Sequence, residues 1–158
     1  MVTGAFPLAS ETFIREQAVE LVEQGVDLEI LALRPGDGTW GRRDMDADLA
    51  SRTRTANIDR SCSSRVARIP LRMATLAARG GRPFSAISPR RGWRATSGQL
   101  LEIASALGGP RRYDVIHCQF GPMGRIMLAA LDAGIVEGAM SVAFYGYDIT
   151  RELQILRN

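Results

Sequence analysis

Along the first part of the chain, apolar positions recur first with a helical and then with a strand-like spacing. Apolar residues fall on one helical face after Ser10, a good N-cap, and stop before Gly25, so a helix is predicted over residues 10–24. Residues 26–33 alternate at first and then become fully apolar, which predicts a strand that is more buried at one end. A very short apolar segment, residues 1–3, precedes the helix and is expected to be the first strand.

The last third of the chain has the clearest pattern. In order, it predicts a helix over residues 98–107, a strand over 113–120, a turn at 121–124 leading into a helix over 123–132, a strand over 141–146, and a final helix capped by Asp148 or Thr150.

The middle of the chain, residues 39–97, is predicted to be an irregular segment. Residues 65–79 have a helical pattern that Pro70 would interrupt. Thirteen of the twenty arginines lie between Arg42 and Arg94, and the chain has no lysine. Solvation or partial disorder, nucleic acid, and an anionic membrane surface would each explain such a segment. Few aromatic residues accompany these arginines, so no nucleic-acid partner is predicted, whereas a peripheral membrane contact stays open.

Strands and helices therefore alternate along the chain, which predicts an α/β fold with a Rossmann-like parallel sheet flanked by helices. We expect residues 1–158 to form a single domain of this kind. Ligands of such sheets bind beyond the carboxyl ends of the strands. The turns expected at that edge are residues 4–12, 117–124 and 145–150, and these carry most of the chemically interesting side chains.

Composition narrows the class further. The chain has 158 residues, of which 46% are hydrophobic, which suits one domain with a sizeable core. No run approaches the ~18–20 apolar residues of a membrane span, and the N-terminus does not resemble a signal peptide, so a cytoplasmic protein is expected. With two cysteines and one histidine, a Cys/His zinc site has too few ligands, and no metal or cofactor is predicted. Cys118 is expected to be a buried, inert thiol.

The first candidate site is the turn between the first strand and the first helix. Gly4 lies before it, and Ser10, Glu11 and Thr12 surround the helix start, where free backbone N–H groups favour anions. Glu11 would repel a phosphate there but could hold a sugar hydroxyl. A capped helix with routine dipole complementation explains the same residues, so both interpretations stay open.

The second group of candidates follows the last two strands. His117 and Gln119 share one face of a strand near its carboxyl end, and both need hydrogen-bond partners if they are buried. A structural histidine is the competing explanation. Gly146 permits a close backbone approach beside Tyr145, and Asp148 could either accept sugar hydroxyls or cap the next helix. There is no Walker-type loop, and residues 121–124 lack the third glycine of the dinucleotide fingerprint.

Three segments together resemble one family, the bacterial exopolysaccharide and colanic-acid-type glycosyltransferases of family 4. They are Phe-Pro-Leu-Ala-Ser-Glu-Thr-Phe-Ile at residues 6–14, Asp-Val-Ile-His-Cys-Gln-Phe-Gly at residues 114–121, and Phe-Tyr-Gly-Tyr-Asp-Ile-Thr at residues 144–150. They occur in the family's order and at plausible spacing, and the arginine-rich middle is not part of the resemblance.

The resemblance implies a GT-B architecture of two facing Rossmann-like domains and a retaining transferase. Such an enzyme would move a sugar from a nucleotide-sugar donor to a saccharide or lipid-linked acceptor at the inner membrane. This chain would correspond to the N-terminal, acceptor-side domain without the C-terminal donor-binding domain, and would be inactive alone. The resemblance places the candidates named above in the cleft, with Gly4 near the donor phosphates and Arg125 facing phosphate or acceptor charge.

The sequence departs from the family pattern at Tyr145, where a histidine is usual, and at Gln119, where many relatives have a second histidine. Tyrosine, with an unperturbed pKa of about 10, is a poor proton carrier near neutral pH. An alternative is a non-catalytic domain that docks a separate donor-domain chain or an anionic membrane surface. A sugar-nucleotide epimerase is disfavoured by the missing glycine fingerprint.

Overall fold

The computed structural model describes residues 1–38, 40, 44–58, 62–78 and 98–146. The strands in this part of the chain are β1 (Val2–Phe6), β2 (Ile30–Pro35), β3 (Thr53–Thr55), β4 (Arg111–Gln119) and β5 (Val136–Ala143). The helices are α1 (Thr12–Glu23), α2 (Asp44–Arg52), α3 (Cys62–Ala78), α4 (Gln99–Leu107) and α5 (Gly121–Asp132).

The five strands form one parallel sheet in the order β3-β2-β1-β4-β5. The predicted α/β, Rossmann-like fold is therefore confirmed. β1 pairs with β2 over most of its length, but its register with β4 consists of the single pair Val2–Cys118. The start of β1 is thus paired with the carboxyl end of β4, and the rest of β1 extends beyond this pair.

Alternation along the central strands places apolar side chains on both faces of the sheet. Ile30 and Ala32 of β2 pack with α1 and α2, whereas Leu31 and Leu33 pack on the opposite face with α4 and α5. Cys118 is buried in this second cluster as predicted, and burial raises the pKa of its thiol to about 11. The thiol is therefore protonated near neutral pH. None of the described helices combines the length and the apolar character that crossing a membrane requires.

The start of α1 differs from the prediction. The helix begins at Thr12, its N-cap is Glu11, and no side chain caps the helix by a hydrogen bond, so the prediction of Ser10 as N-cap is wrong. Ser10 lies instead in the turn between β1 and α1, where the backbone N–H of Glu11 donates to the carbonyl of Leu8. The helix ends as predicted before Gly25, whose φ of +83° is readily adopted only by glycine.

The prediction of an irregular segment over residues 39–97 needs correction, because α2, β3 and α3 all lie within it. α3 continues through Pro70, which was expected to interrupt it. α2 has few apolar residues, and its buried Asp46 forms an ion pair with Arg15 of α1. β3 is only three residues long and is defined by its pairing with β2. Neither tertiary interaction can be recognised from local sequence.

The last strand lies earlier than predicted. β5 covers Val136–Ala143, not residues 141–146, because it pairs with nearly the whole length of β4. Its first half contains Gly138, whose φ is +148° and at which a Cβ atom would lie 2.3 Å from the carbonyl oxygen of Tyr113. This glycine lies where the register between the strands shifts. The predicted final helix, with Asp148 and Thr150, lies outside the described residues.

Candidate functional site

A crevice lies at the carboxyl edge of the sheet, beside the ends of the two central strands β1 and β4. β1 and β4 are neighbours, but α1 follows β1 on one face and α5 follows β4 on the other. Such a switch point, beyond the carboxyl ends of the strands, is the usual ligand site of an open α/β sheet. Both helices begin at this edge, so the positive ends of their dipoles lie beside the crevice.

The crevice has a volume of about 480 Å³. Its lining consists of Gly4, Ala5, Leu8, Ser10, Glu11, Arg34, Phe120, Pro122 and Met123. Three of the predicted site residues, Gly4, Ser10 and Glu11, are therefore brought together here. Arg34 and Phe120 were not predicted; Arg34 reaches the crevice because β2 ends beside β1.

The crevice carries charge of both signs. The Glu11 side chain is half-buried, and this burial raises the pKa of its carboxyl above the ordinary value. Arg34 lines the same crevice and is exposed. A carboxylate accepts hydrogen bonds from hydroxyl groups, and a guanidinium donates to phosphate or carboxylate oxygens. The crevice can thus bind a polyhydroxylated ligand that carries an anionic group.

The loop after β2 fixes the wall formed by the β1–α1 turn. The backbone N–H of Gly36 donates to the Phe6 carbonyl at 3.2 Å, and that of Gly38 donates to the Pro7 carbonyl at 3.0 Å. The Asp37 carboxylate also accepts from the backbone N–H of Ala9, at 3.4 Å. A Cβ atom on Gly36 would lie 1.6 Å from the Pro7 carbonyl oxygen, so the two loops can approach this closely only with glycine there.

Phe120 forms the opposite wall in an unusual backbone conformation. Its φ of +71° and ψ of 149° lie in a region that residues other than glycine rarely adopt. Its backbone N–H donates to the Ala143 carbonyl at 3.0 Å, and its own carbonyl accepts from Met123 at the start of α5. These bonds hold the conformation in place. Strained residues of this kind concentrate at functional sites.

Three aromatic rings meet beside the crevice. The ring centroid of Tyr145 lies 4.9 Å from that of Phe13 and 5.0 Å from that of Phe120, and the two phenylalanine rings are 6.4 Å apart. The rings come from α1, from the start of α5 and from the segment after β5. We call these three residues the aromatic cluster. Tyr145 was predicted as a site residue, and the structure places it against the crevice wall.

Gln119 links the aromatic cluster to α1 through a buried hydrogen-bond chain. Its side chain is fully buried; its amide nitrogen donates to the Gln17 side chain, and its amide oxygen accepts from the Tyr145 hydroxyl at 2.7 Å. The expectation that Gln119 needs partners if buried is met by these two side chains. Gln119 therefore positions the tyrosine ring and does not itself line the crevice.

His117 lies two residues before Gln119 and on the same face of β4. Its Nδ1 atom is 2.7 Å from the Ser141 hydroxyl of β5, and its Nε2 atom is buried without a hydrogen-bond partner among the described residues. It is not among the residues that line the crevice. A role for His117 in binding stays a prediction, and its hydrogen bond to Ser141 supports the structural explanation.

The remaining predicted residues lie outside the lining of the crevice. Thr12 is exposed at the first position of α1, and Arg125 is exposed on α5. Gly146 is exposed just after the aromatic cluster, and a Cβ atom there would meet nothing within 4 Å. Asp148 lies outside the described residues, so its role in binding stays a prediction.

We expect His117 to make stability depend on pH. Burial lowers the pKa of the imidazole, so the unfolded chain binds more protons than the folded chain once the pH falls below about 6.5. The free energy of unfolding should therefore decrease between about pH 7.5 and pH 5.5. His117→Asn should show a smaller decrease, and because the chain has a single histidine the difference isolates this group. Equal pH profiles, measured by urea denaturation, would contradict the assignment.

Fold and crevice together define an α/β, Rossmann-like domain with an open crevice at its switch point. Over 160 residues the chain is 30% identical to a protein of Escherichia coli (strain K12) named as a colanic acid biosynthesis glycosyltransferase, WcaL. It is 29% identical over 153 residues to the amylovoran biosynthesis glycosyltransferase AmsK of Erwinia amylovora. It is also 26% identical over 160 residues to the WcaL protein of Salmonella typhimurium (strain LT2).

These alignments cover 92–94% of the chain but only 36–37% of each relative, so the chain spans little more than a third of the length of the proteins it matches. No family model matches the chain. No solved structure matches it either. The chain is therefore similar to a portion of each of these exopolysaccharide biosynthesis glycosyltransferases. This agrees with the resemblance noted in the three sequence segments.

Proposed function

We propose that the chain is the acceptor-side, N-terminal domain of a retaining, GT-B-fold, family-4-type glycosyltransferase. The complete enzyme would transfer a sugar from a nucleotide-sugar donor to a saccharide or lipid-linked acceptor in polysaccharide biosynthesis. The observation that carries this proposal is the crevice at the switch point of a domain similar to exopolysaccharide glycosyltransferases. A cytoplasmic location with peripheral contact at the inner membrane stays a prediction.

The crevice residues suit this role. Glu11 and Ser10 would hold acceptor hydroxyl groups by hydrogen bonds, and Arg34 would bind an anionic group of donor or acceptor. The backbone near Gly4 would allow close approach of a phosphate, because this strand residue has no side chain. The rings of the aromatic cluster would pack against the apolar face of a sugar.

Exposed aromatic side chains at the same edge support the presence of a second domain across the crevice. Phe13, a member of the aromatic cluster, is 39% exposed, and Phe144, which precedes Tyr145 in the chain, is 65% exposed. Large apolar groups exposed together often mark an interaction surface. The donor-binding domain, on the same or on a separate chain, would cover them, and this chain alone would not catalyse transfer.

The proposal can be tested on the 158-residue chain by nuclear magnetic resonance titration with a panel of neutral and acidic saccharides and of sugar nucleotides. We expect saccharides to shift the amide resonances of Gly4, Ser10, Glu11 and Phe120. Glu11→Gln should weaken this binding about tenfold, because a hydrogen bond to a charged group is worth roughly 1.5–3 kcal/mol.

The matched control is Glu16→Gln, which removes an exposed carboxylate of the same helix outside the crevice. It should leave the saccharide shifts unchanged. Micromolar binding of a sugar nucleotide to this chain alone would show that it holds a complete donor site, and the proposal of an acceptor-side domain would then be abandoned. Saccharide-induced shifts that are confined to residues outside the crevice would also contradict the proposal.

A further inference from the structure

A second cavity lies at the opposite, amino edge of the sheet, where β2, β3 and β4 begin. Its volume is about 340 Å³. Its lining consists of Asp27, Leu28, Glu29, Ser51, Arg52, Arg54, Arg111, Arg112 and Tyr113. We call it the amino-edge cavity. No residue is shared with the crevice at the carboxyl edge, so the proposed glycosyltransferase function does not account for it.

The amino-edge cavity holds an excess of positive charge. Four arginines line it, against the two carboxylates of Asp27 and Glu29. Arg52 is paired with Asp48, whose carboxylate accepts from the arginine Nε at 2.8 Å, and lies 3.5 Å from the fully exposed Asp27. Since Arg54 forms an ion pair with Glu29, the excess of positive charge lies with the two arginines of β4.

Both carboxylate oxygens of Glu29 are already engaged by other residues. Arg54 forms an ion pair with one of its carboxylate oxygens, and the Tyr113 hydroxyl donates to the other at 2.7 Å. Although burial raises the pKa of Glu29, the hydrogen bonds from Tyr113 and Arg54 and the nearby charge of Arg111 lower it overall. The carboxylate is thus ionised, and each of its oxygens already accepts a hydrogen bond.

Two arginines retain unused donors. Arg111 donates through Nε to the Leu107 carbonyl at 2.9 Å; its charge acts on Glu29, but it forms no ion pair with a carboxylate in the described part of the chain. The Arg112 side chain is exposed and forms no hydrogen bond or ion pair with the described part of the chain, although Glu137 is its partner residue in the register with β5. Each guanidinium has five N–H donors in a rigid fork that matches the oxygen atoms of a phosphate group.

We propose that the amino-edge cavity binds a phosphate-bearing anion, held by Arg111 and Arg112. The concave shape and the fixed Tyr113–Glu29–Arg54 group distinguish it from a solvated charged surface. The volume accommodates a pyrophosphate or a phosphorylated head group. Such a ligand would bind at the amino edge of the sheet, whereas the substrates would bind in the crevice at the carboxyl edge. Both could therefore be bound at the same time.

Titration of the 158-residue chain with sodium pyrophosphate, followed through the arginine Nε–H resonances, tests this inference. At low salt we expect saturable shifts for Arg111 and Arg112, and binding about tenfold weaker in Arg112→Gln, since a charge-assisted contact to phosphate is lost. Arg68→Gln is the matched control, because Arg68 is exposed on α3 and does not line the cavity. It should bind pyrophosphate like the wild type.

The source of the phosphate group is distinguished by vesicles of phosphatidylcholine with or without phosphatidic acid. Co-sedimentation with the acidic vesicles that is lost in Arg112→Gln identifies a lipid head group, whereas pyrophosphate binding without co-sedimentation identifies a soluble ligand. Two outcomes would overturn the proposal: no saturable shift at millimolar pyrophosphate, or equal weakening in the Arg68→Gln control. Neither experiment involves the crevice, so failure here leaves the proposed function untouched.

Discussion

Gly36→Ala is expected to displace the β1–α1 turn and to lower the free energy of unfolding by about 3 kcal/mol, at the upper end of typical overpacking effects. The added Cβ atom would lie 1.6 Å from the carbonyl oxygen of Pro7 and 2.9 Å from the carbonyl carbon of Phe6. Both are backbone atoms, so a rotamer change cannot relieve the collision. The turn must move, and the wall that carries Ser10 and Glu11 moves with it.

Gly4→Ala provides the matched control for this substitution. Gly4 lines the same crevice, but its added Cβ atom would meet only the Met123 methyl group at 3.9 Å, an ordinary contact. We expect a change in stability of less than about 0.5 kcal/mol. Urea denaturation of both variants, with saccharide titration, measures the difference. Equal stabilities would show that the two loops do not touch as described.

Gln119→Met is expected to lower the free energy of unfolding by about 2 kcal/mol. The substitution keeps the length of the side chain but removes the hydrogen bonds to the half-buried Gln17 and Tyr145 side chains. Each such hydrogen bond contributes roughly 0.5–1.5 kcal/mol to stability. Since Tyr145 would no longer be anchored through Gln119, saccharide binding beside the aromatic cluster should weaken as well.

An exposed glutamine, Gln24, provides the matched control for this substitution. Gln24→Met removes a hydrogen bond to Glu20 on the exposed end of α1, and should change stability by less than about 0.5 kcal/mol. Chemical denaturation of the two variants under identical conditions gives the comparison. If Gln119→Met is no more destabilising than Gln24→Met, the buried chain from Gln17 to Tyr145 does not stabilise the fold.

Much of the fold could be predicted because its signals are local. The helix stop at Gly25 and the apolar run of β4 are readable from a few residues each. β3 is different, because its three residues become a strand only through pairing with β2. Similarly, the burial of Asp46 in α2 depends on Arg15, which is 31 residues away in sequence.

The candidate site divides in the same way. Glu11 could be predicted because a strand-to-helix turn is an expected ligand position in an α/β sheet. Arg34 could not, since it enters the crevice from a different loop whose approach depends on the fold. Phe120 could not either, because nothing in Gln-Phe-Gly-Pro indicates that the phenylalanine, not the glycine, adopts the positive φ.

The single pair between β1 and β4 has a mechanical consequence for the crevice. One wall is anchored through α1 to the cluster on one face of the sheet, and the other through α5 to the cluster on the opposite face. The register between β1 and β4 contains no further pair, because β4 ends one residue after Cys118. We expect a ligand that contacts both Glu11 and Phe120 to link the two walls, and therefore to stabilise the middle of the sheet as well as the site that it occupies.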